Sequence, residues 1–305
     1  MSWFSEYGPI LAMQGFNALS LFCVLLLMAL GLAIIFGQMG VINMAHGEFL
    51  TIGAYTTYLF STLTQTYAPA LMPGYFLVAI VGAFIFAFGF GYLLEWALIR
   101  HLYRRPLDTL LATWGVSLGM QQLFRSTFGA REVSATLPDW LMGSWQPVEG
   151  VDIPLNGMFV MALTALLTLT LFLLLFRSGW GLEVRSTVQN RMMAGAVGIN
   201  TKRVDRMTFA LGCGIAGVAG AAFTTIGSTG PTSGSLYIVD TFLTVVFGGA
   251  ASLFGTIASA FAIAQTQANL EFFLNGSMAK VLTLSAVVIF LMVRPQGLFA
   301  IKVRR

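Results

Sequence analysis

Charge is what this sequence most lacks. Only 9% of its 305 residues are Asp, Glu, Lys or Arg, while 57% are hydrophobic, and soluble domains carry about a quarter charged residues. An ordinary soluble fold is therefore excluded. Cysteine and histidine are scarce too, at two each. Cys23 and Cys213 sit singly in apolar runs with no CxxC spacing and no clustered histidines, so neither a disulfide framework nor a metal site is indicated. Both are expected to be packing residues. The first seventeen residues hold no Lys or Arg, which argues against a cleavable signal peptide and for a retained first helix. Finally, no Gly-x-x-x-x-Gly-Lys-Ser/Thr loop and no Ser/His/Asp or zinc-ligand spacing occurs. This excludes an ATPase or hydrolase of its own and leaves no cofactor to expect in this chain.

What is present is a succession of apolar runs. Residues 18–36, 49–64, 75–99, 158–176, 207–226 and 280–293 reach or approach the roughly 20 residues of a spanning helix, and 110–124 and 241–270 are weaker candidates. The fold class expected is all-α and polytopic: about 8–10 transmembrane or half-membrane helices in a single transmembrane domain over residues 1–305. Net charge is +4, but its distribution argues against nucleic acid. Arg100, Arg104, Arg105, Arg177, Arg185, Arg191, Lys202, Arg203, Arg206, Arg294, Lys302, Arg304 and Arg305 fall in three places, which marks those as cytoplasmic. An outer loop 125–156, an inner loop 178–206, an N-terminus outside and a cytoplasmic C-terminus follow. The outer loop, with Trp140 and Trp145, could serve as a gate or as a docking surface.

One stretch breaks the apolar pattern. Gly37-Gln38-Met39-Gly40-Val41-Ile42-Asn43-Met44-Ala45-His46-Gly47-Glu48 lies between apolar segments, where each unsatisfied polar group costs several kcal/mol. Such backbone is tolerated beside a cavity or packed protein, so a discontinuous helix lining a polar path is expected, with Asn43, His46, Glu48, Thr51 and Tyr55 along it. Glu48 and Asp240 are candidate solute contacts or, alternatively, acids at helix starts that satisfy free amides. His46 either bridges two helices or meets the solute. Glu95 suits an interfacial ion pair with the nearby arginines. With almost no basic residue at membrane depth, a neutral or zwitterionic solute is indicated.

Further on, Gly212, Gly214, Gly217 and Gly220 form a small-residue ridge suited to close helix packing. A second broken region contains Gly227, Gly230, Tyr237, Asp240, Gly248 and Gly249, and a short and a longer helix are expected to meet at 248–255. The spacing of Gly37-x-x-Gly40 before His46-Gly47-Glu48 is echoed by Gly227-x-x-Gly230 before Val239-Asp240, the pattern of an inverted repeat with its site at the repeat interface. In the inner loop, Val184, Val188 and Met192 recur every fourth residue while Arg185, Gln189 and Arg191 point elsewhere. That predicts one amphipathic helix closed by Gly195 and Gly198, able to lie on lipid or in a partner's groove.

Residues 37–48, together with Gly195-Ala196-Val197-Gly198-Ile199-Asn200-Thr201-Lys202-Arg203-Val204, resemble the permeases of the branched-chain amino acid class of ABC importers. Within that class Thr187-Val188-Gln189-Asn190-Arg191-Met192-Met193-Ala194 and Arg203-Val204-Asp205 are most similar to the urea type. The resemblance implies a multi-pass subunit of a bacterial inner membrane, working with a second related permease, two cytoplasmic ATPases that use ATP and a periplasmic solute-binding protein. It also implies that residues 182–198, with Val184, Arg185, Val188, Gln189, Arg191 and Met192, dock on the ATPase. Urea is the solute this resemblance implies. The alternatives are branched-chain or other amino acids carried by the same machine, or an ion-coupled transporter using Glu48, Asp240 and His46 as a proton relay.

Overall fold

The computed structural model describes residues 2–103, 105–148, 151–249 and 252–299. Arg104, Lys302, Arg304 and Arg305, counted above among the charges that mark the cytoplasmic side, lie outside them. In chain order come α1 (Ser2–Met39), α2 (His46–Tyr67), α3 (Tyr75–Ala97), α4 (Pro106–Phe128), a small hairpin of β1 (Ser144–Val148) and β2 (Val151–Pro154), and α5 (Leu155–Arg177). Two short helices, α6 (Gly179–Gln189) and α7 (Arg191–Ala196), precede α8 (Thr201–Phe223), α9 (Ser233–Gly248), α10 (Leu253–Phe273) and α11 (Gly276–Val293).

Five of these are long and apolar enough to cross a membrane, at Met13–Met39, Tyr75–His101, Leu155–Arg177, Thr201–Phe223 and Gly276–Val293. The chain is thus a polytopic all-α protein. α2, α4 and α10 have the length of spanning helices but are diluted by Ser, Thr, Gln and Glu. On α4 the polarity is turned inward: Thr109, Thr113 and Ser117 are buried while Leu111, Trp114 and Leu118 are exposed. A helix with that inside-out pattern belongs in lipid with its polar side against protein.

α1 and α8 form the centre. Leu27, Met28, Ala29 and Leu30, consecutive residues that point to every side of α1, are each at most 1% exposed, so this helix is surrounded. Close approach is set by glycine. A Cβ on Gly31 would stand 2.5 Å from the Gly212 carbonyl oxygen, and one on Gly212 would stand 2.5 Å from that of Gly31. Gly47 and Gly234 make the same reciprocal backbone contact between α2 and α9. Without a hydrophobic force between helices in lipid, such packing is what holds them.

The contacts also give direction. Gly31 faces Gly212 and Gln38 faces Asp205, so α1 and α8 run antiparallel. Thr51 faces Gly234 and Gly47 faces Ile238, so α2 and α9 do as well. α3 packs on α8, as Gly91 on Cys213 shows, and α10 packs on α1 through Phe22 and Phe261. The pairings α1 with α8, α2 with α9, and α3 with α8 matched by α10 with α1 are contacts of the kind an inverted repeat would make. The glycine echo does not map onto them residue for residue: Gly37 lies in α1 whereas Gly227 and Gly230 lie in a link, and Glu48 is in the first turn of α2 whereas Asp240 is two turns inside α9.

Several expectations need correction. Gly37, Gly47 and Gly248 lie inside helices; the chain actually turns at Gly40 (φ +63) and Gly249 (φ +99), where only the missing Cβ makes the conformation cheap. Gly227 and Gly230 lie in the link between α8 and α9. The short helix and the longer one do meet at 248–255, as α9 and α10, and the break between them is closed by the chain beyond α11: Leu298 N donates to Phe247 O (2.8 Å) and Phe299 N to Gly248 O (3.2 Å). α9 begins at Ser233, so Asp240 stands two turns inside it rather than at its start.

The 129–142 segment is tied to the bundle at three points. Val133 and Thr229 exchange backbone hydrogen bonds (2.9 and 2.8 Å), Ser61 Oγ accepts from Thr136 N (3.0 Å), and Trp140 Nε1 donates to Pro73 O (2.7 Å).

Candidate functional site

The first break is built locally. α1 ends at Met39, Gly40 N still donates to Phe36 O (2.9 Å), and the chain then runs as irregular backbone to Ala45. Asn43 folds this turn by accepting from Ala45 N through Oδ1 (3.1 Å), and α4 supports it from outside, Thr113 Oγ1 accepting from Met44 N (3.1 Å). α2 starts at His46 without a side-chain cap.

The five expected path residues on this stretch are all buried but face different neighbours. His46 Nε2 lies 3.2 Å from Met28 O on α1, beside Gly31, so it bridges two helices. Thr51 Oγ1 accepts from Gly234 N (3.0 Å) and packs α2 against α9. Glu48 turns the other way: its Oε1 accepts from Ser117 Oγ (2.9 Å) and Gln121 Nε2 (2.8 Å), both on α4. Tyr55, two turns further along α2, stacks on Phe128 with ring centroids 4.1 Å apart and lies 5.3 Å from Phe124.

This leaves a polar seam between α2 and α4 with unmet hydrogen-bonding capacity. Among the described residues, Asn43 Nδ2, Glu48 Oε2 and the Tyr55 hydroxyl are buried without a partner; His46 Nδ1 is too, but His46 is turned toward α1. Each such group costs about 1–3 kcal/mol when left alone, so three within thirteen residues are a concentration of capacity that further polar groups could use. Where the seam reaches Tyr55 it adjoins an open apolar groove of about 400 Å³, lined by Ile52, Phe124 and Phe128 and, toward the outside, by the exposed Leu59, Leu63 and Phe86.

Tyr237 and Asp240, the other expected path residues, are not part of this seam. Asp240 pairs with Lys280 of α11 at 2.8 Å, Lys280 Nζ also donates to Leu236 O (3.0 Å), and the ammonium lies 5.9 Å from the Tyr237 ring. Tyr237 itself packs edge-on against Phe223. Lys280 is the first residue of the apolar run 280–293; the structure places it inside α11, where it gives Asp240 an ion-pair partner in place of the helix-start amides expected for it. Ser117 and Gln121 were visible as polar residues on a spanning-length helix, but nothing in the sequence said that Glu48 was their partner.

The 178–206 segment is not one amphipathic helix. Asn190 adopts an extended conformation (φ −156, ψ 101) and caps a new helix by accepting from Met193 N through Oδ1 (3.0 Å), which splits α6 from α7. The Val184, Val188 and Met192 stripe is therefore broken. Val184 is buried with Thr187, whereas Val188 is exposed and Met192 is 86% exposed. Arg185 lies over the Phe176 ring at 5.3 Å. Arg191 pairs with Asp205 of α8 and lies over the Tyr103 ring at 5.6 Å.

Asp205 is one half of a charged layer at this end of the bundle. It also accepts from Gln38 Nε2 of α1 (3.3 Å). The other half is Glu95, which accepts from Arg206 Nε (2.9 Å) and from the Tyr103 hydroxyl, while Arg206 reaches Tyr92 OH (3.2 Å). Burial, and then the adjoining Glu95 carboxylate, hold the Tyr103 phenol protonated far above its ordinary range. Glu95 is thus an interfacial ion-pair residue, with Arg206 rather than Arg100 as its partner.

Comparison with known proteins now places this architecture. Residues 15–293 match the family described as "Branched-chain amino acid transport system / permease component". The high-affinity branched-chain amino acid transport system permease protein LivH of Escherichia coli strain K12 is 28% identical over 299 residues, covering 93% of this chain and 94% of its own length. BraD, of the same description, from Pseudomonas aeruginosa is 26% identical over 286 residues (92% and 93%), and a probable LivH of Methanocaldococcus jannaschii 24% over 294 (90% and 88%). No solved structure matches the chain. The chain belongs to the family of permease components of branched-chain amino acid transport systems.

Proposed function

We propose that this permease carries an amino acid across the bacterial inner membrane along the α2–α4 seam, by alternating access driven by ATPase subunits. The observation that carries the reading is the set of buried, unpartnered polar atoms at Asn43, Glu48 and Tyr55 beside an apolar groove. An amino acid supplies what both parts lack. Its ammonium and carboxylate suit Glu48 Oε2 and Asn43 Nδ2, and a branched apolar side chain suits the Ile52, Phe124 and Phe128 wall. Urea, which the 187–205 motifs resemble, could use the polar atoms but would leave the apolar groove without a role. The relatives' descriptions support the amino acid reading as well.

α7 suits the docking of an ATPase. Met192, Met193 and, just past its end, Val197 are exposed, apolar anchors of the kind that fill a partner's groove. A second related permease, a pair of ATPases and a periplasmic binding protein complete the machine, with the N-terminus outside and the C-terminus cytoplasmic.

The test is uptake of labelled leucine and labelled urea in cells lacking only this gene, against complemented cells, with ATPase subunits present. Loss of leucine uptake alone is expected. Loss of urea uptake alone reassigns the solute. Uptake that persists without the ATPases and collapses with an uncoupler would replace the whole reading with an ion-coupled one.

A further inference from the structure

We infer that Asp205 and Gln38 are positioning residues that transmit movement of α7 to the broken segment 40–45. The inference rests on the reading of α7 as the ATPase dock. α7 has little else to hold on to: it is six residues long, only its Ala194 is buried, and the apolar side chains of Met192, Met193 and, just past its end, Val197 are exposed. Its tie to the membrane helices is Arg191, which grips the Asp205 carboxylate.

Asp205 is fully buried in the first turns of α8 and receives two donors from opposite directions: Arg191 on α7 and Gln38 Nε2 on α1 at 3.3 Å. Gln38 stands in the last turn of α1, two residues before Gly40, the positive-φ hinge from which Asn43, His46 and Glu48 are hung. Gln38 Oε1 has no partner among the described residues, so this joint holds on one side only and can slide as well as pull. A displacement of α7 must either take the charged donor away from a fully buried carboxylate or carry Asp205 with it. A buried carboxylate left without its charged partner is unfavourable, so moving together is cheaper. Asp205 then draws on Gln38, and the hinge at Gly40 lets the 40–45 turn follow without bending α1.

Arg206 stands beside this chain and ties α8 to α3, reaching Glu95 and Tyr92. It bears load without touching Arg191 or Gln38, which makes Arg206 the control.

The experiment uses the full permease with its ATPase and permease partners in proteoliposomes, with ATP hydrolysis and leucine uptake measured on the same sample. For Asp205→Asn, ATP hydrolysis and co-purification should persist while uptake per ATP hydrolysed falls about tenfold, within the usual range for coupling between sites. Gln38→Leu, which leaves the ion pair intact, should uncouple in the same way, Asp205→Glu should restore coupling in part, and Arg206→Gln should lower stability without changing the ratio. An unchanged ratio in Gln38→Leu overturns the inference, as does equal uncoupling by Arg206→Gln; should Asp205→Asn fail to fold, Gln38→Leu decides. If wild-type permease neither co-purifies with the ATPases nor moves leucine with them, the docking reading fails first and the inference falls with it.

Discussion

Replacing Gly31 by alanine is the sharpest test of how this bundle is held together. The new Cβ would stand 2.5 Å from the Gly212 carbonyl oxygen, where ordinary contact begins at 3.4 Å. The obstacle is backbone, so no side chain can swing aside, and α1 and α8 must part by the difference, 0.9 Å. A gap of that size forfeits about a quarter to a half of each contact's dispersion energy of roughly 0.1–0.2 kcal/mol, so on the order of thirty atom pairs at the crossing sum to about 2 kcal/mol. That agrees with the usual cost of overpacking, about 1–3 kcal/mol. The same Cβ would lie 3.3 Å from His46 Cε1, so strain also reaches the start of α2. The assay is thermal unfolding in detergent together with solute uptake, with Gly89→Ala as the control because nothing stands within 4 Å of a Cβ there. Gly31→Ala should melt earlier and transport less than Gly89→Ala. Two variants that behave alike would refute both the crossing and the argument from it.

Other consequences are open to measurement. Glu48→Gln keeps an acceptor for Ser117 and Gln121 but removes the charge, so leucine uptake should fall about tenfold or more with the protein still in the membrane, as for a lost charge-assisted bond of about 1.5–3 kcal/mol; loss of protein instead would make Glu48 a packing residue. Asp240→Asn strands a partly exposed ammonium at membrane depth and should lower stability by about 1–3 kcal/mol, discounted for that exposure. The double variant Asp240→Asn with Lys280→Met should recover most of it, and unfolding curves compare the two. Trp140→Phe removes the bond to Pro73 O and should cost about 1 kcal/mol by the same assay, without changing the ratio of leucine to urea uptake.

How much of this could be read from the chain depends on the range of the forces involved. The sequence by itself determined the environment and the segments, because apolar length and the clustering of Arg and Lys are local quantities that lipid reads one helix at a time. It also located the break near Gly40 and the meeting of a short and a long helix at 248–255, where glycine and polar residues interrupt an apolar run. What each interruption does was decided only by tertiary structure. Gly37, Gly40 and Gly47 are the same residue type, yet only Gly40 takes positive φ, while Gly47 exists to let α9 approach. Glu48 and Asp240 looked like equivalent intramembrane acids. Partners 69, 73 and 40 positions away divided them, Ser117 and Gln121 for one and Lys280 for the other. A side chain's own spacing tells which way it points along its helix, but the charge and hydrogen-bond balance of a buried group is settled by whichever distant helix packs against it.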